Sequence, residues 1–243
     1  MNESIRRVLV TGGSGDIGGA ICAALARDGW RVIVHAHANR ERAEAVAQRI
    51  RASGGEAEVA VFDVTDATAT RTALDGLMQT APIHALVHNA GIHDDAPLAG
   101  MNEDQWRRVI DVSLHGFFHV AQPLLLPMAR ARFGRVVAVS SVAATLGNRG
   151  QANYAAAKSA LHGAVKSLAR EMASRNITVN VVAPGIIEGR LTETLFTPEQ
   201  VKAMIPAART GTPAEVAGVV AFLCSDAASY VNGQVIGVNG GMA

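Results

Sequence analysis

Residues 8–27 limit the possible folds of this chain more than any other stretch. The apolar triplet Val8-Leu9-Val10 runs into Thr11-Gly12-Gly13-Ser14-Gly15-Asp16-Ile17-Gly18. Apolar residues then recur at Ile21, Ala24 and Leu25, which is helical spacing. The order is strand, glycine turn, helix. Glycines let the backbone turn tightly and approach a ligand closely. The helix behind them offers unpaired N–H groups and the positive end of its dipole. This arrangement suits a pyrophosphate.

The alternation continues along the chain. Further strands are expected over 31–34, 57–62, 85–87, 134–139, 177–182 and 234–238. Helices are expected over 20–27, 40–51, from Thr65 or Asp66 to about 78, over 102–130 and 151–175, and from Thr212 onward. Asn102 with Gln105 reads as a capping box, as does Thr212 with Glu215 behind Pro213. Pro123 and Pro127 are expected to bend or fray the long helix near its end. Residues 186–210 have no clean period and are expected to form a lid. Seven strands thus alternate with six helices, with no linker or repeat between them. The strand runs are continuous and apolar, as in parallel sheets covered on both faces. The expected fold is α/β: one doubly wound domain over 1–243, with a seven-stranded parallel sheet. Gly12, Asp63, Asn89, Ser141 and Pro184 all fall at strand carboxyl ends, where such folds bind ligands.

Residues 141–158 supply the chemistry. Tyr154 and Lys158 are four apart in an Ala-rich run, so they share a helix face. A phenol titrates near ~10, and a nearby ammonium lowers that value. Ser141 follows the buried strand and is expected to hydrogen-bond a substrate oxygen.

Composition excludes other classes. With 22 basic and 21 acidic residues the net charge is +1, so there is no nucleic-acid footprint. Cys22 and Cys224 lie in apolar helical patterns and read as buried free thiols. Glu3, Arg6 and Arg7 precede the first strand without the pattern of a secretory leader, and no apolar run approaches span length. The expectation is a soluble, cytoplasmic protein. The eight histidines, His115 and His119 included, fit no compact ligand set, so no metal is expected.

In order and spacing, residues 11–18, Asp63-Val64, Asn89-Ala90-Gly91, Ser141, Tyr154, Lys158 and Pro184-Gly185 resemble the short-chain dehydrogenase/reductase family over essentially the whole chain. Residues 150–158, 167–175, 180–185 and 238–242 are most similar to its 3-oxoacyl-acyl-carrier-protein reductases. The resemblance implies a Rossmann-type fold and NADPH-dependent reduction of the 3-oxo group of a carrier-bound acyl thioester, as in fatty-acid biosynthesis. In that reading Tyr154 donates a proton to the carbonyl oxygen and Ser141 holds that oxygen. Lys158 lowers the phenol pKa and binds ribose hydroxyls. The dinucleotide is implied to lie along Gly12, Ser14, Gly15, Asp16, Ile17 and Gly18. It continues past Asn39, Arg40, Asp63 and Val64, then Asn89, Ala90 and Gly91, to Pro184, Gly185 and Ile187. Gln151 is implied to face the substrate. Arg132 and Arg175 are implied to receive the acidic carrier protein near the active-site mouth. A tetramer is also implied, with the helices over 102–130 and 151–175 packing across one twofold and the C-terminal strand region across another. Val109, Phe117, Leu161 and Val165 make those helices apolar on more than one side.

The chain departs from the family pattern at four places. Asp16 replaces a glycine, and Ser113 stands where an asparagine supports a catalytic water. Gly189 replaces a threonine, with Thr192 nearby, and Arg190 replaces a common acid. Cofactor choice follows from residues 35–40, where no acid precedes Glu41 to bind a ribose 2′-hydroxyl. Arg40 can pair a 2′-phosphate instead, which favours NADP. Two other readings stand beside the reductase. One is an NADP-dependent enzyme acting on another small ketone or alcohol, its substrate set by the lid. The other is a non-catalytic dinucleotide sensor, which has no need of Ser141, Tyr154 and Lys158.

Overall fold

The computed structural model describes residues 5–189 and 197–243. Seven strands form one all-parallel sheet in the order β3-β2-β1-β4-β5-β6-β7. They are β1 (Arg7–Thr11), β2 (Arg31–Ala36), β3 (Ala57–Val61), β4 (Ala85–His88), β5 (Gly134–Val139), β6 (Ile177–Pro184) and β7 (Val235–Val238). The helices are α1 (Asp16–Arg27), α2 (Arg40–Ala52), α3 (Ala67–Thr80), α4 (Glu103–Ile110), α5 (Gly116–Ala131), α6 (Ala143–Leu146), α7 (Ala152–Met172), α8 (Pro198–Met204) and α9 (Pro213–Cys224).

Alternation along the strands divides the core in two. Val8 and Val10 point to one face, against Ile21 and Leu25 of α1, Val46 of α2 and Val216 of α9. Leu9 points to the other, against Leu74 of α3, Leu124 of α5 and Leu161 of α7. The strand order reverses between β1 and β4, and the crevice there is where this sheet type takes ligands. Cys22 and Cys224 are buried free thiols, and burial pushes the Cys224 thiol up to about 12.

The helix starts match their caps. Asn102 and Gln105 make both bonds of a capping box, as do Thr212 and Glu215. Asp66 rather than Thr65 caps α3, accepting from the Ala69 N–H. The long helix differs from expectation in three ways. A π-turn, Asp111–His115, separates α4 from α5. Pro123 and Pro127 lie inside α5, which continues to Ala131 with Leu124 and Met128 seated in the core. Residues Glu103–Ala131 therefore form one helical run of 29 residues. By length and composition alone it could cross a membrane, which corrects the expectation of no such run. Here its inner face packs on the sheet.

The segment expected as a lid is not without structure. Thr197 and Gln200 form a capping box on α8. Its two ends are pinned together: Gly211 N–H donates to Ile186 O, and Glu188 N–H donates to Gly211 O. Arg190 and Thr192 lie outside the described residues.

Candidate active site

The glycine turn sits at the carboxyl end of β1, braced from β4. Asn89 Nδ2 donates to the carbonyls of Thr11 and Gly12, each at 3.1 Å. Gly12 has φ +63, and a Cβ there would lie 3.0 Å from Asn89 Nδ2. A Cβ on Gly18 would lie 2.2 Å from Gly12 O, so only glycine fits this close return. Gly15 is the N-cap of α1 and brings no side chain to its first N–H groups. A cradle this tight in front of an uncapped helix fits a dinucleotide pyrophosphate. Asp16 follows that N-cap as the helix's first residue. Its carboxylate is turned toward Gly189, where a Cβ would meet Oδ2 at 2.9 Å. Two of the departures from the family pattern thus meet in space, and the glycine makes room for the acid.

Strand β3 delivers Asp63, whose Oδ1 accepts from the N–H and hydroxyl of Thr65 at 2.8 Å each. His37 lies 3.5 Å away. Asn39 caps α2 through the Arg42 N–H. Arg40 is exposed at the start of α2, while the Arg42 guanidinium reaches back to the Ser14 carbonyl at 3.3 Å. The cation at the glycine turn is therefore Arg42. Gly185 closes the far side, where a Cβ would lie 2.8 Å from Asn239 Cα.

Strand β5 and helix α7 bring Ser141, Tyr154 and Lys158 together. Ser141 Oγ accepts the Ala143 N–H at 3.1 Å and also hydrogen-bonds the Tyr154 phenol. Lys158 is buried, with Nζ donating to Val139 O at 2.9 Å. Nζ stands 5.7 Å from the tyrosine ring centroid. Burial lowers the lysine pKa to about 8. Burial raises the phenol pKa, the Ser141 bond lowers it, and the Asp95 carboxylate raises it further. The expectation that Lys158 pulls the phenol down is corrected: the ammonium is directed at a backbone carbonyl, and Tyr154 is held as an acid.

The rim beside Tyr154 is strapped. Gln151 donates to Asp95 Oδ2 at 2.8 Å and accepts from Asn148 at 2.9 Å. Asn153, fully buried, donates to the carbonyls of Asp94 and Gln105 and accepts the Tyr154 N–H at 2.8 Å. Sequence reasoning missed this residue, although its place beside Tyr154 was the available signal. Ser113 is buried in the π-turn near Gly91 and Lys158.

Arg132 and Arg175 do lie together: Arg132 donates to Ser174 O, and Asn176 Nδ2 donates to Arg132 O. Within one chain, however, they are not at the mouth. They precede the amino ends of β5 and β6, whereas Ser141 and Gly185 follow the carboxyl ends. The six residues of β5 put about 20 Å between the two sites. Val109, Phe117, Leu161 and Val165 are all buried in the core. The exposed apolar side chains of these helices are Trp106, Phe118 and Leu126.

A glycine-turn cradle at the switch point of a parallel sheet, beside a Ser-Tyr-Lys cluster, defines a dinucleotide-dependent oxidoreductase. The family model described as Enoyl-(Acyl carrier protein) reductase matches residues 13–243. The 3-oxoacyl-[acyl-carrier-protein] reductase FabG of Aggregatibacter actinomycetemcomitans is 42% identical over 100% of both chains. That of Escherichia coli K12 is 41% identical over 100% of this chain and 99% of its own. Among solved structures, one from Agrobacterium tumefaciens proposed to be a gluconate dehydrogenase superposes with TM-score 0.93 at 33% identity, covering 98% of this chain and 95% of its own. The chain belongs to the short-chain dehydrogenase/reductase family and is an oxidoreductase of the nicotinamide dinucleotide class.

Proposed function

We propose that this protein reduces the 3-oxo group of an acyl thioester, borne on an acyl carrier protein, with NADPH. The carrying observation is the Ser141-Tyr154-Lys158 cluster at the mouth of the glycine-turn crevice, in a chain 41% to 42% identical end to end to 3-oxoacyl-carrier-protein reductases. The bound nicotinamide supplies the hydride. The Ser141 hydroxyl holds the substrate oxygen, where negative charge develops. Tyr154, protonated, gives that oxygen its proton. Lys158 has donors left beyond the Val139 bond, and these hold the ribose hydroxyls. Pro184, Gly185 and Ile187 back the nicotinamide end, and Gln151 with Asp95 lines the substrate rim.

NADPH is the proposed donor because no acid follows β2 and a guanidinium stands at the turn. The 2′-phosphate partner is Arg42, with Asn39 and Arg40 beside it. Arg42→Ala is expected to weaken NADPH binding tenfold or more and to leave NADH within about threefold, read by fluorescence titration. Equal losses for both cofactors contradict this assignment.

The test of the reaction is NADPH oxidation with 3-oxoacyl, enoyl-acyl and sugar-acid substrates. Turnover on the 3-oxoacyl thioester alone supports the proposal. Tyr154→Phe is expected to lose nearly all turnover while NADPH still binds; wild-type turnover in that variant sinks the mechanism. The second reading, a dehydrogenase of a sugar acid or another small alcohol, is motivated by the solved relative at TM-score 0.93. Residues 186–210 are the proposed lid, hinged where Ile186 and Glu188 meet Gly211. A cytoplasmic tetramer is the proposed working form, with Trp106, Phe118 and Leu126 on one contact face and the exposed Phe222 and Tyr230 on another.

A further inference from the structure

His88 has no part in the chemistry above, yet it lies beneath it. It ends β4, is fully buried, and touches three elements around the site: β1, the π-turn and α5. Its Nδ1 is 3.2 Å from Thr11 Oγ1, and its Nε2 is 3.2 Å from Ser113 O. The Phe117 ring of α5 covers it edge-on, with centroids 5.5 Å apart.

The tautomer follows from counting protons. Thr11 Oγ1 already accepts the N–H groups of Asn89 and Ala90, each at 3.0 Å. A hydroxyl has two acceptor sites and one hydrogen, so that hydrogen goes to His88 Nδ1. The ring's own proton is then on Nε2, which donates to the Ser113 carbonyl. Two charged or titratable neighbours face the ring, Lys158 from α7 and His35 from β2. Burial first, then the Lys158 cation, lowers the His88 pKa to about 3, so the ring is neutral.

The bond lands on the π-turn, and π-turns often mark functional positions. Ser113 Oγ is fully buried and has no hydrogen-bond partner among the described residues. A Cβ on Gly91 would lie 3.5 Å from Ser113 Oγ and 2.9 Å from Lys158 Nζ. Both polar atoms therefore border the same small space, which Gly91 keeps open. An unsatisfied buried hydroxyl costs about 1–3 kcal/mol, so its retention calls for a use.

We propose that His88 is a positioning residue for the reduction: as a fixed Nε2–H donor it pins the Ser113 carbonyl and so aims the Ser113 hydroxyl at the space beside Lys158 Nζ. The proposal rests on the reading of Lys158 as part of the reaction centre. Thr11, Asn89 and Ala90 belong to the cofactor cradle, so His88 ties that cradle to the Ser113 turn through one ring.

Two kinds of measurement test it. Nitrogen NMR of the wild-type protein is expected to show His88 protonated at Nε2 alone, unchanged from pH 8 to pH 5. A proton on Nδ1 overturns the proposal whatever substrate the enzyme takes, so its failure is separable from failure of the functional reading. Ser113→Ala removes only an unpartnered hydroxyl. It is expected to keep or raise Tm, to lower kcat at least tenfold, and to leave the NADPH KM within threefold. Unchanged kcat overturns the proposal. His88→Leu is expected to lower kcat similarly and shift the pH midpoint of kcat, with His88→Gln, which keeps a donor, restoring both. A Gln variant as impaired as the Leu variant, with Tm lowered in both, reduces His88 to a core residue.

Discussion

Burial pushes the Tyr154 phenol above its ordinary pKa, the bond to Ser141 pulls the other way, and the Asp95 carboxylate adds to the rise. A phenol so poised suits reduction, where the oxygen must receive a proton. Asp95→Asn keeps an acceptor for Gln151 but removes the charge. The phenol pKa should fall, because a nearby anion disfavours the phenolate. The alkaline limb of kcat for ketone reduction is therefore expected to move to lower pH, read from a pH-rate profile. An unmoved limb, or one moved upward, contradicts the role given to Asp95. Residue identity at this site was legible in the sequence: strand ends and helical spacing marked Ser141, Tyr154 and Lys158. Direction was not. Spacing of four places Lys158 on the face of Tyr154, but only the packed structure turns its ammonium onto Val139 O. His88 passed unnoticed among eight histidines, because burial and partners distinguish it, not its neighbours in sequence.

At the scale of elements, the glycine turn stands on two buried histidines. His35, on β2, accepts the Gly12 N–H at Nδ1 over 3.1 Å and donates from Nε2 to Phe62 O over 2.9 Å. Both bonds need the neutral ring, and burial lowers its pKa to about 4. The unfolded chain takes a proton near ~6.5, the folded chain only near 4. Stability is thus whole above pH 6.5 and declines as the pH falls toward 4. The limiting slope is about 1.4 kcal/mol per pH unit for each such histidine. Urea melts at pH 7.5 and 5.5 check this, and equal stabilities would contradict it. His35→Asn is expected to flatten part of the slope. Strands, caps and the sheet's parallel order followed from periodicity, because each is a local pattern. The π-turn did not. Residues 111–115 carry no breaker, and the turn is accompanied by a tertiary approach: a Cβ on Gly116 would lie 2.9 Å from Val64 Cγ2.

At the scale of the whole molecule, the paired arginines pose a question that one chain does not answer. Arg132 ends α5 and stands with Arg175 about 20 Å from Ser141, across the length of β5. In the proposed tetramer, a twofold axis crossing α5 would set two copies antiparallel and bring one copy's Arg132 beside the start of its partner's α5. That start adjoins Ser113 and the reaction centre. Exposed Phe118 and Leu126 lie on the same helix. The proposed carrier contact is then made across subunits, the carrier spanning two chains. Subunits with Tyr154→Phe are expected to be inactive, and subunits with Arg132→Glu and Arg175→Glu to be slow on carrier-bound substrate alone. Co-refolded in equal amounts, they should recover about a quarter of the wild-type rate on that substrate, since half the twofold pairs are mixed and each has one complete site. The recovered rate should fall steeply with salt. A short free thioester should be reduced by the double-Glu subunits throughout. No recovery on mixing, with mixed oligomers verified by mass, places the arginines in service of their own chain or of none.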